Sequence, residues 1–190
     1  MDEIRLANPC SPWHLHAMKK PFLIYGLLLP LGVVVFDQLT KFWAISVFKQ
    51  PMNVCEINPF SGLTKELSPI VDLALVCNQG VSWGLLQGDS AVKRWILTLF
   101  ALIMSCALLY VLKDTRDRLS QISLGLIIGG AVGNGIDRAL FGAVTDFINF
   151  GDIGFHWVFN VADSAITIGV IGLIAASFLA PKAGAAADKK

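Results

Sequence analysis

The sequence predicts an α-helical membrane protein with four transmembrane helices and a small extracytoplasmic β element between the first and second. Of its 190 residues, 55% are hydrophobic and only 15% are charged, whereas a soluble domain carries about 25% charged residues. Four apolar stretches each approach the roughly 20 residues that cross a bilayer. A globule of this size cannot hide so many apolar side chains from water. The chain is therefore either an aggregating fragment or a protein that lipid partly solvates.

The four predicted spans form one domain, residues 21–180. They cover residues 22–48, 95–112, 122–136 and 158–180. Residues 1–20 are predicted to be a cytoplasmic N-terminal extension, and residues 181–190 a disordered cytoplasmic tail of small and charged residues. In the third span, Gly125, Gly129 and Gly133 recur every fourth residue, a spacing that suits close packing against another helix.

The distribution of basic residues predicts that both termini are cytoplasmic. Loops on the cytoplasmic side of a membrane carry an excess of Lys and Arg. With both termini inside, that side holds nine of the 15 basic residues, namely Arg5, Lys19, Lys20, Lys113, Arg116, Arg118, Lys182, Lys189 and Lys190. The net charge of +1 argues against a nucleic-acid partner, because such proteins usually show a strong basic excess.

The extracytoplasmic β/loop element is predicted over residues 48–90. Several Pro, Asn and Gly residues punctuate this segment, and residues 71–77 read as a strand. The four cysteines show no CxxC pair and no spacing of a secreted protein, so neither a zinc site nor a disulfide framework is indicated. A single bridge between Cys55 and Cys77 stays open.

Polar residues gather at the outer ends of three predicted spans and in the short loop between the last two. An ionisable residue inside a membrane is costly and is by default a candidate for function. Residues spaced by three or four lie on one helix face. The group comprises Asp37 and Lys41 in the first span, Asn134, Asp137 and Arg138 in the third, Asp146 in the loop, and Asn160 and Asp163 in the fourth.

The residue types in this group favour carboxylate chemistry. A serine nucleophile needs a nearby base, and the chain has only three histidines, none of them within the group. There is no HExxH metal motif and no phosphate-binding glycine loop. Asp146 and Asp163 flank one short loop, and two carboxylates held close together share a proton. Such a pair can activate water and protonate a leaving amine.

Three other interpretations stay open from the residues alone. Each polar residue, taken singly, reads as an interfacial residue that caps a helix end. The acids also suit a proton or ion pathway, although such a pathway would spread polar groups through the membrane depth. A helical scaffold that uses polar groups for assembly is the third.

Five ordered motifs resemble those of the lipoprotein signal peptidases, also called signal peptidase II. Together they extend over nearly the whole chain after the N-terminal extension. One departure is Trp83, at a position where the family pattern leads us to expect Phe. The motifs are Asp37-Gln-Leu-Thr-Lys41, Asn78-Gln-Gly-Val-Ser-Trp83, Gly129-Gly-Ala-Val-Gly-Asn-Gly-Ile-Asp-Arg138, Val144-Thr-Asp-Phe147 and Phe159-Asn-Val-Ala-Asp-Ser164.

This resemblance implies a membrane aspartyl endopeptidase that removes signal peptides from diacylglyceryl-modified prolipoproteins. It would cleave before the lipid-bearing cysteine, with water activated by the catalytic pair Asp146 and Asp163. The matching motif positions imply substrate-binding or supporting roles for Asp37, Lys41, Asn78, Gly80, Asn134, Asp137, Arg138 and Asn160.

The resemblance also sets expectations about partners and location. No cofactor and no metal are expected. The expected partners are a lipid-modified prolipoprotein, membrane lipid and peptide-like inhibitors that occupy the Asp pair, with the enzyme acting as a monomer. The expected location is the bacterial cytoplasmic (inner) membrane, with the active site at the outer, periplasmic face.

Overall fold

The computed structural model describes residues 21–58, 62–80 and 91–179. Within these ranges, four helices are long and apolar enough to cross a membrane, which confirms the predicted four-span helical architecture. Helix α1 (Pro21–Val47) includes a π-helical segment, Ile24–Leu28, and is followed by the short helix α2 (Val54–Ile57). The other spans are α3 (Ala91–Asp114), α4 (Arg118–Phe141) and α5 (Val161–Leu179).

A four-stranded antiparallel sheet accompanies the helices, in the order β1-β2-β3-β4. Strands β1 (Leu63–Glu66) and β2 (Asp72–Asn78) come from the linker after α1, where a β element is predicted. Strands β3 (Val144–Phe150) and β4 (Phe155–Phe159) come from the linker between α4 and α5. The prediction of a loop around Asp146 is therefore wrong, because that segment, which is rich in β-branched and aromatic residues, pairs with β2 through its backbone.

Helix α4 packs closely against α1 because glycines face that helix. A Cβ atom placed on Gly125 would lie 2.5 Å from the backbone oxygen of Tyr25, and one on Gly129 would lie 2.9 Å from that of Pro30. The spacing of small residues in the sequence thus marks a real helix contact. A Cβ on Gly133 would lie 2.8 Å from Oδ2 of Asp37. The missing side chain therefore lets the Asp37 carboxylate approach α4.

The two ends of α4 are fixed by different caps. At its start the Asp117 side chain accepts a hydrogen bond of 2.7 Å from the backbone N–H of Ser120. At its end Gly142 adopts φ 77°, and its N–H donates to the carbonyl of Arg138 at 3.1 Å. This left-handed residue, a conformation that glycine adopts without strain, turns the chain from α4 directly into β3.

A disulfide joins Cys55 in α2 to Cys77 in β2. The sequence indicates no disulfide framework, and the structure corrects this expectation with one bridge. The two cysteines that it joins are the pair that the sequence left open. Both cysteines are buried with Ile45, Leu75 and Ala143 in a small apolar core beneath the sheet. The bridge therefore fastens the linker after α1 close to the end of β2.

Several sequence predictions fall on residues outside the described ranges. These are the N-terminal extension 1–20, the C-terminal tail 181–190, residues 81–90 of the extracytoplasmic element, and Trp83.

Candidate active site

A buried ionic cluster joins α1 to α4. The Lys41 ammonium lies 2.7 Å from Oδ2 of Asp37 and 2.9 Å from Oδ2 of Asp137. All three side chains are at most 3% exposed. Lys41 also donates to Oδ1 of Asn134 at 3.2 Å. One lysine therefore pairs with two carboxylates, which reduces the cost of burying these charges away from water.

The same two carboxylates connect the ionic cluster to the elements that follow α4. Asp37 accepts a hydrogen bond of 2.9 Å from the backbone N–H of Ala162, in the first turn of α5. Asp137 accepts one of 3.1 Å from the N–H of Thr145 in β3. The Gln38 amide donates to Oδ1 of Asp137 at 2.8 Å. The cluster thus fixes the starts of both β3 and α5 relative to α1 and α4.

Asp146 lies on β3 and is almost completely buried, with 2% of its surface exposed. Its Oδ1 accepts a hydrogen bond of 2.7 Å from the Asn160 amide, and its Oδ2 accepts one of 3.1 Å from the Asn78 amide. Burial, followed by the charge of Asp163, raises the pKa of Asp146 to about 8, against the lowering effect of the two amides and Lys41. The site therefore favours a protonated Asp146 at neutral pH.

Asp163 lies in the first turn of α5 and is half-buried. Its Oδ1 accepts a hydrogen bond of 2.8 Å from the Asn134 amide, and its Oδ2 faces the Asn160 backbone N–H at 3.4 Å. The Asn160 side chain in turn accepts from the N–H of Asp163 at 2.9 Å, a reciprocal arrangement that caps the helix. A helix N-terminus stabilises negative charge, so this position suits an ionised carboxylate.

Two asparagines connect the acids to each other and to the ionic cluster. Besides its bond to Asp146, the Asn160 amide donates to Oδ1 of Asn134 at 3.2 Å and to the carbonyl of Thr145 at 3.3 Å. Asn134 receives both Asn160 and Lys41 on its oxygen and donates its amide to Asp163. These bonds fix the orientation of each side-chain amide, so that its N–H groups, and not its oxygen, face the aspartates.

Arg138 borders the site on the side of β2. Its guanidinium donates to the carbonyl of Gly80 at 3.2 Å, and the N–H of Gly80 donates to Oδ1 of Asn78 at 3.0 Å. Its charge also attracts Asp146 and Asp163. The Asn78-x-Gly80 motif is therefore a short turn held against α4.

The structure brings all ten predicted site residues into one connected group of hydrogen bonds and charges. Asn134 and Arg138 share a face of α4, as their spacing predicts, and Asp37 pairs with Lys41 on α1.

Sequence reasoning missed Gln38 and Thr145. Gln38 could have been found because it adjoins Asp37 on the same helix. Thr145 could not, because it bonds to the site through backbone atoms, which every residue type has. Among the described residues, no three His, Cys, Asp or Glu side chains are arranged to hold a metal ion.

Comparisons with known proteins place this chain in the class of multi-pass membrane proteases. Residues 29–179 match the family model described as signal peptidase (SPase) II. The chain therefore belongs to the signal peptidase II family, and membership makes it a protease that removes signal peptides from prolipoproteins.

Individual relatives agree with this assignment. A lipoprotein signal peptidase of Methylobacterium radiotolerans is 41% identical over 154 residues, which cover 78% of this chain and 82% of the relative. One from Burkholderia thailandensis is 38% identical over 148 residues, covering 77% and 82%. A solved structure described as a bacterial membrane enzyme, obtained by the in meso method, superposes with a TM-score of 0.68 at 31% identity. It covers 87% of this chain and 93% of its own.

Proposed function

We propose that this protease is an aspartyl endopeptidase in which Asp146 and Asp163 form the catalytic pair. Its substrates are diacylglyceryl-modified prolipoproteins, which it cleaves before the lipidated cysteine. The observation that carries this proposal is the pairing of two electrostatically coupled carboxylates in contrasting environments, one buried with a raised pKa and one at a helix N-terminus. Groups whose environments separate their proton affinities are suited to act as acid and base.

The proposed reaction begins with an ionised Asp163 and a protonated Asp146. Asp163 takes a proton from water while the water oxygen attacks the scissile carbonyl carbon, and Asp146 donates its proton to the carbonyl oxygen. In the second step Asp163 passes its new proton to the amide nitrogen and the C–N bond breaks. One hydroxyl of the intermediate returns a proton to Asp146, which leaves a carboxyl and an amine as products and restores the pair.

The surrounding polar residues act as positioning residues in this mechanism. Asn160 and Asn134 hold the two carboxylates by donating amide protons to them. Lys41, with Asp37 and Asp137, fixes the starts of β3 and α5. Arg138 and Gly80 hold the turn that carries Asn78, and the remaining N–H groups of the guanidinium can donate to a substrate carbonyl.

The proposed topology has both termini in the cytoplasm and the sheet at the outer face of the bacterial inner membrane. The distribution of basic residues supports this orientation. The disulfide between Cys55 and Cys77 gives independent support, because disulfides persist in oxidising compartments such as the periplasm and are rare in the cytosol. A lipid-anchored precursor presents its scissile bond at that level. We further propose that the enzyme acts as a monomer among membrane lipids, and that peptide-like inhibitors occupy the Asp pair.

A gel-shift cleavage assay with a lipidated precursor tests the catalytic pair. Asp146→Asn and Asp163→Asn are expected to lower turnover by about four orders of magnitude, as for other jointly acting catalytic groups. Asp152→Asn is the matched control, since Asp152 is exposed in the turn between β3 and β4 and should keep normal activity. Normal turnover by a folded Asp146 or Asp163 variant would refute the proposal.

A further inference from the structure

We propose that the Cys55–Cys77 disulfide is a positioning element of the active site, which holds the end of β2 so that Asn78 can donate to Asp146. This inference rests on the proposed catalytic pair. Neither cysteine contacts substrate in this view, and both act through the residues beside them.

The first support is the position of the bridge along β2. Cys77 immediately precedes Asn78, which is the last residue of the strand. Strand ends open more easily than strand centres. A covalent bond to α2 one residue before the end restricts this opening at the point where the Asn78 amide must stay 3.1 Å from Asp146.

The second support is the register between β2 and β3. Cys77 lies opposite Thr145, and Asn78 lies opposite Val144. Asp146 is two residues beyond Val144, so Asn78 and Asp146 are diagonal neighbours on the same face of the sheet. A shift of β2 along β3 would separate this pair, and the disulfide opposes such a shift.

The third support is a contact between the bridge and the centre of the site. The Thr145 hydroxyl lies 3.6 Å from Sγ of Cys55, which has no proton in the disulfide, so the hydroxyl is the donor. The backbone of Thr145 donates to Asp137 and accepts from Asn160. One residue thus contacts the disulfide through its side chain and the polar network through its main chain.

On the other side of Asn78, the turn is held by Arg138 through the carbonyl of Gly80. Asn78 therefore lies between a covalent restraint and a hydrogen-bonded one. Loss of the covalent restraint is expected to weaken the bond from Asn78 to Asp146 while the helices stay assembled.

The test uses the full-length chain carrying Cys10→Ser and Cys106→Ser, so that only the bridged pair remains, and its activity is first compared with that of the unmodified chain. Cys106 is an exposed free cysteine. Into this background we would introduce Cys55→Ala with Cys77→Ala, Asn78→Ala, and all three together. Turnover number, KM and the pH dependence of turnover are measured with a lipidated precursor in detergent micelles, and thermal unfolding reports the fold.

Removal of the bridge is expected to lower kcat about tenfold, comparable to the loss of one hydrogen bond, because Asn78 stabilises the carboxylate that Asp146 becomes as it donates its proton; KM should stay within about twofold. The alkaline limb of the pH profile should move upward, because the Asn78 hydrogen bond lowers the pKa of Asp146. Asn78→Ala should cause the same change when the bridge is present and little further change when it is absent. A merely structural bridge would lower the unfolding temperature and the active fraction without moving the alkaline limb.

A second route covers failure of the alanine pair to fold. A water-soluble phosphine reduces the assembled background enzyme: it supplies two electrons, the S–S bond breaks, two thiols form, and the phosphine takes an oxygen from water to become its oxide. Maleimide labelling then counts two thiols where the oxidised enzyme has none. Unchanged kcat and pH profile after the bridge is lost, or a full and independent effect of Asn78→Ala in its absence, would overturn the inference. Failure of the catalytic pair is seen separately, in active Asp146→Asn or Asp163→Asn variants.

Discussion

Strand β3 and the N-terminus of α5 each present one carboxylate to the same site, and they do so in opposite ways. Asp146 projects from a strand, is buried and accepts side-chain amides from two directions. Asp163 projects from the first turn of a helix, is half-buried and accepts one side-chain amide and one backbone N–H. The strand therefore provides an environment that favours a neutral acid, and the helix end provides one that favours an anion.

The difference indicates how a chain with few charged residues obtains two unlike acids from the same residue type. The proton that the pair shares is expected to reside on Asp146 in the free enzyme. Removing the support of one acid should therefore have a different effect from removing the support of the other.

Among the residues that support the two acids, the largest effect is expected for Asn160→Ala, because Asn160 contacts both Asp146 and Asp163. Its loss removes a donor from Asp146 and the cap that accepts the N–H of Asp163. Misplacement of the acids should lower turnover about 100-fold, and the lost cap should cost about 1 kcal/mol of stability. Asn149→Ala is the matched control, since the Asn149 side chain accepts a local bond from the N–H of Gly151 in the β3–β4 turn. Equal activity of the two variants in the cleavage assay would contradict a shared support.

The pH dependence of turnover tests the environment of Asp146 on strand β3. With the pKa of Asp146 raised to about 8, the proton that the pair needs is lost as pH rises through that region. Turnover should therefore show an alkaline limb near pH 8 and fall about tenfold for each further pH unit. A flat rate up to pH 10, measured under conditions where chemistry limits turnover, would place the proton elsewhere.

The stability of the protein should show the same asymmetry. In the unfolded chain Asp146 has lost its proton above about pH 4, whereas in the folded protein it keeps the proton until about pH 8. The folded state binds more protons over this interval, so stability falls as pH rises from 5 to 8, by at most about 1.4 kcal/mol per pH unit. Asp146→Asn removes this dependence, and denaturation in micelles at pH 5 and pH 8 compares it with the unmodified protein. An equal pH slope in both proteins would contradict a neutral Asp146.

The smallest effect is expected when Asn78, a side-chain donor to Asp146, is compared with Asn134, the side-chain donor to Asp163. Asn78→Ala removes the donor to Oδ2 of Asp146 and should move the alkaline limb upward by about one pH unit, the equivalent of about 1.4 kcal/mol. Asn134→Ala removes the side-chain donor to Asp163 and should lower turnover while moving that limb less than Asn78→Ala does. Identical shifts in the two pH profiles would show that the acids cannot be told apart by their surroundings.

Residue type and spacing were enough to predict the four apolar helices and the polar group at their ends, because both follow from local chemistry. Asn78 and Gly80 were expected from the family resemblance instead. Apolar runs of about 20 residues mark spans directly. The scarcity of charge made each of Asp37, Lys41, Asp137 and Asp146 conspicuous. The predicted third span ended at residue 136, whereas α4 continues to Phe141. The helix extends because Asp137 and Arg138 find partners across the site, which hydropathy alone does not reveal.

The pairing of distant segments could not be predicted in the same way. Residues 144–150 contain Val, Ile and Phe typical of a strand, but the strand forms because β2 lies beside it, and β2 arrives from a linker nearly 70 residues earlier in the chain. The Cys55–Cys77 bridge likewise spans 22 residues without a local motif. Gln38 and Thr145 enter the site through single hydrogen bonds that depend on this assembled geometry.

The placement of Asp37 one turn before Lys41 has a consequence for biosynthesis. Asn134 follows Lys41 by 93 residues, so the first span leaves the ribosome long before α4 exists to receive its charges. A lone lysine in a nascent span would oppose its entry into the bilayer. With Asp37 on the same helix face at a distance of 2.7 Å, the first span can be inserted as a neutral pair. Asp137 joins that pair once α4 is inserted, so the order of translation matches the order in which the cluster is completed.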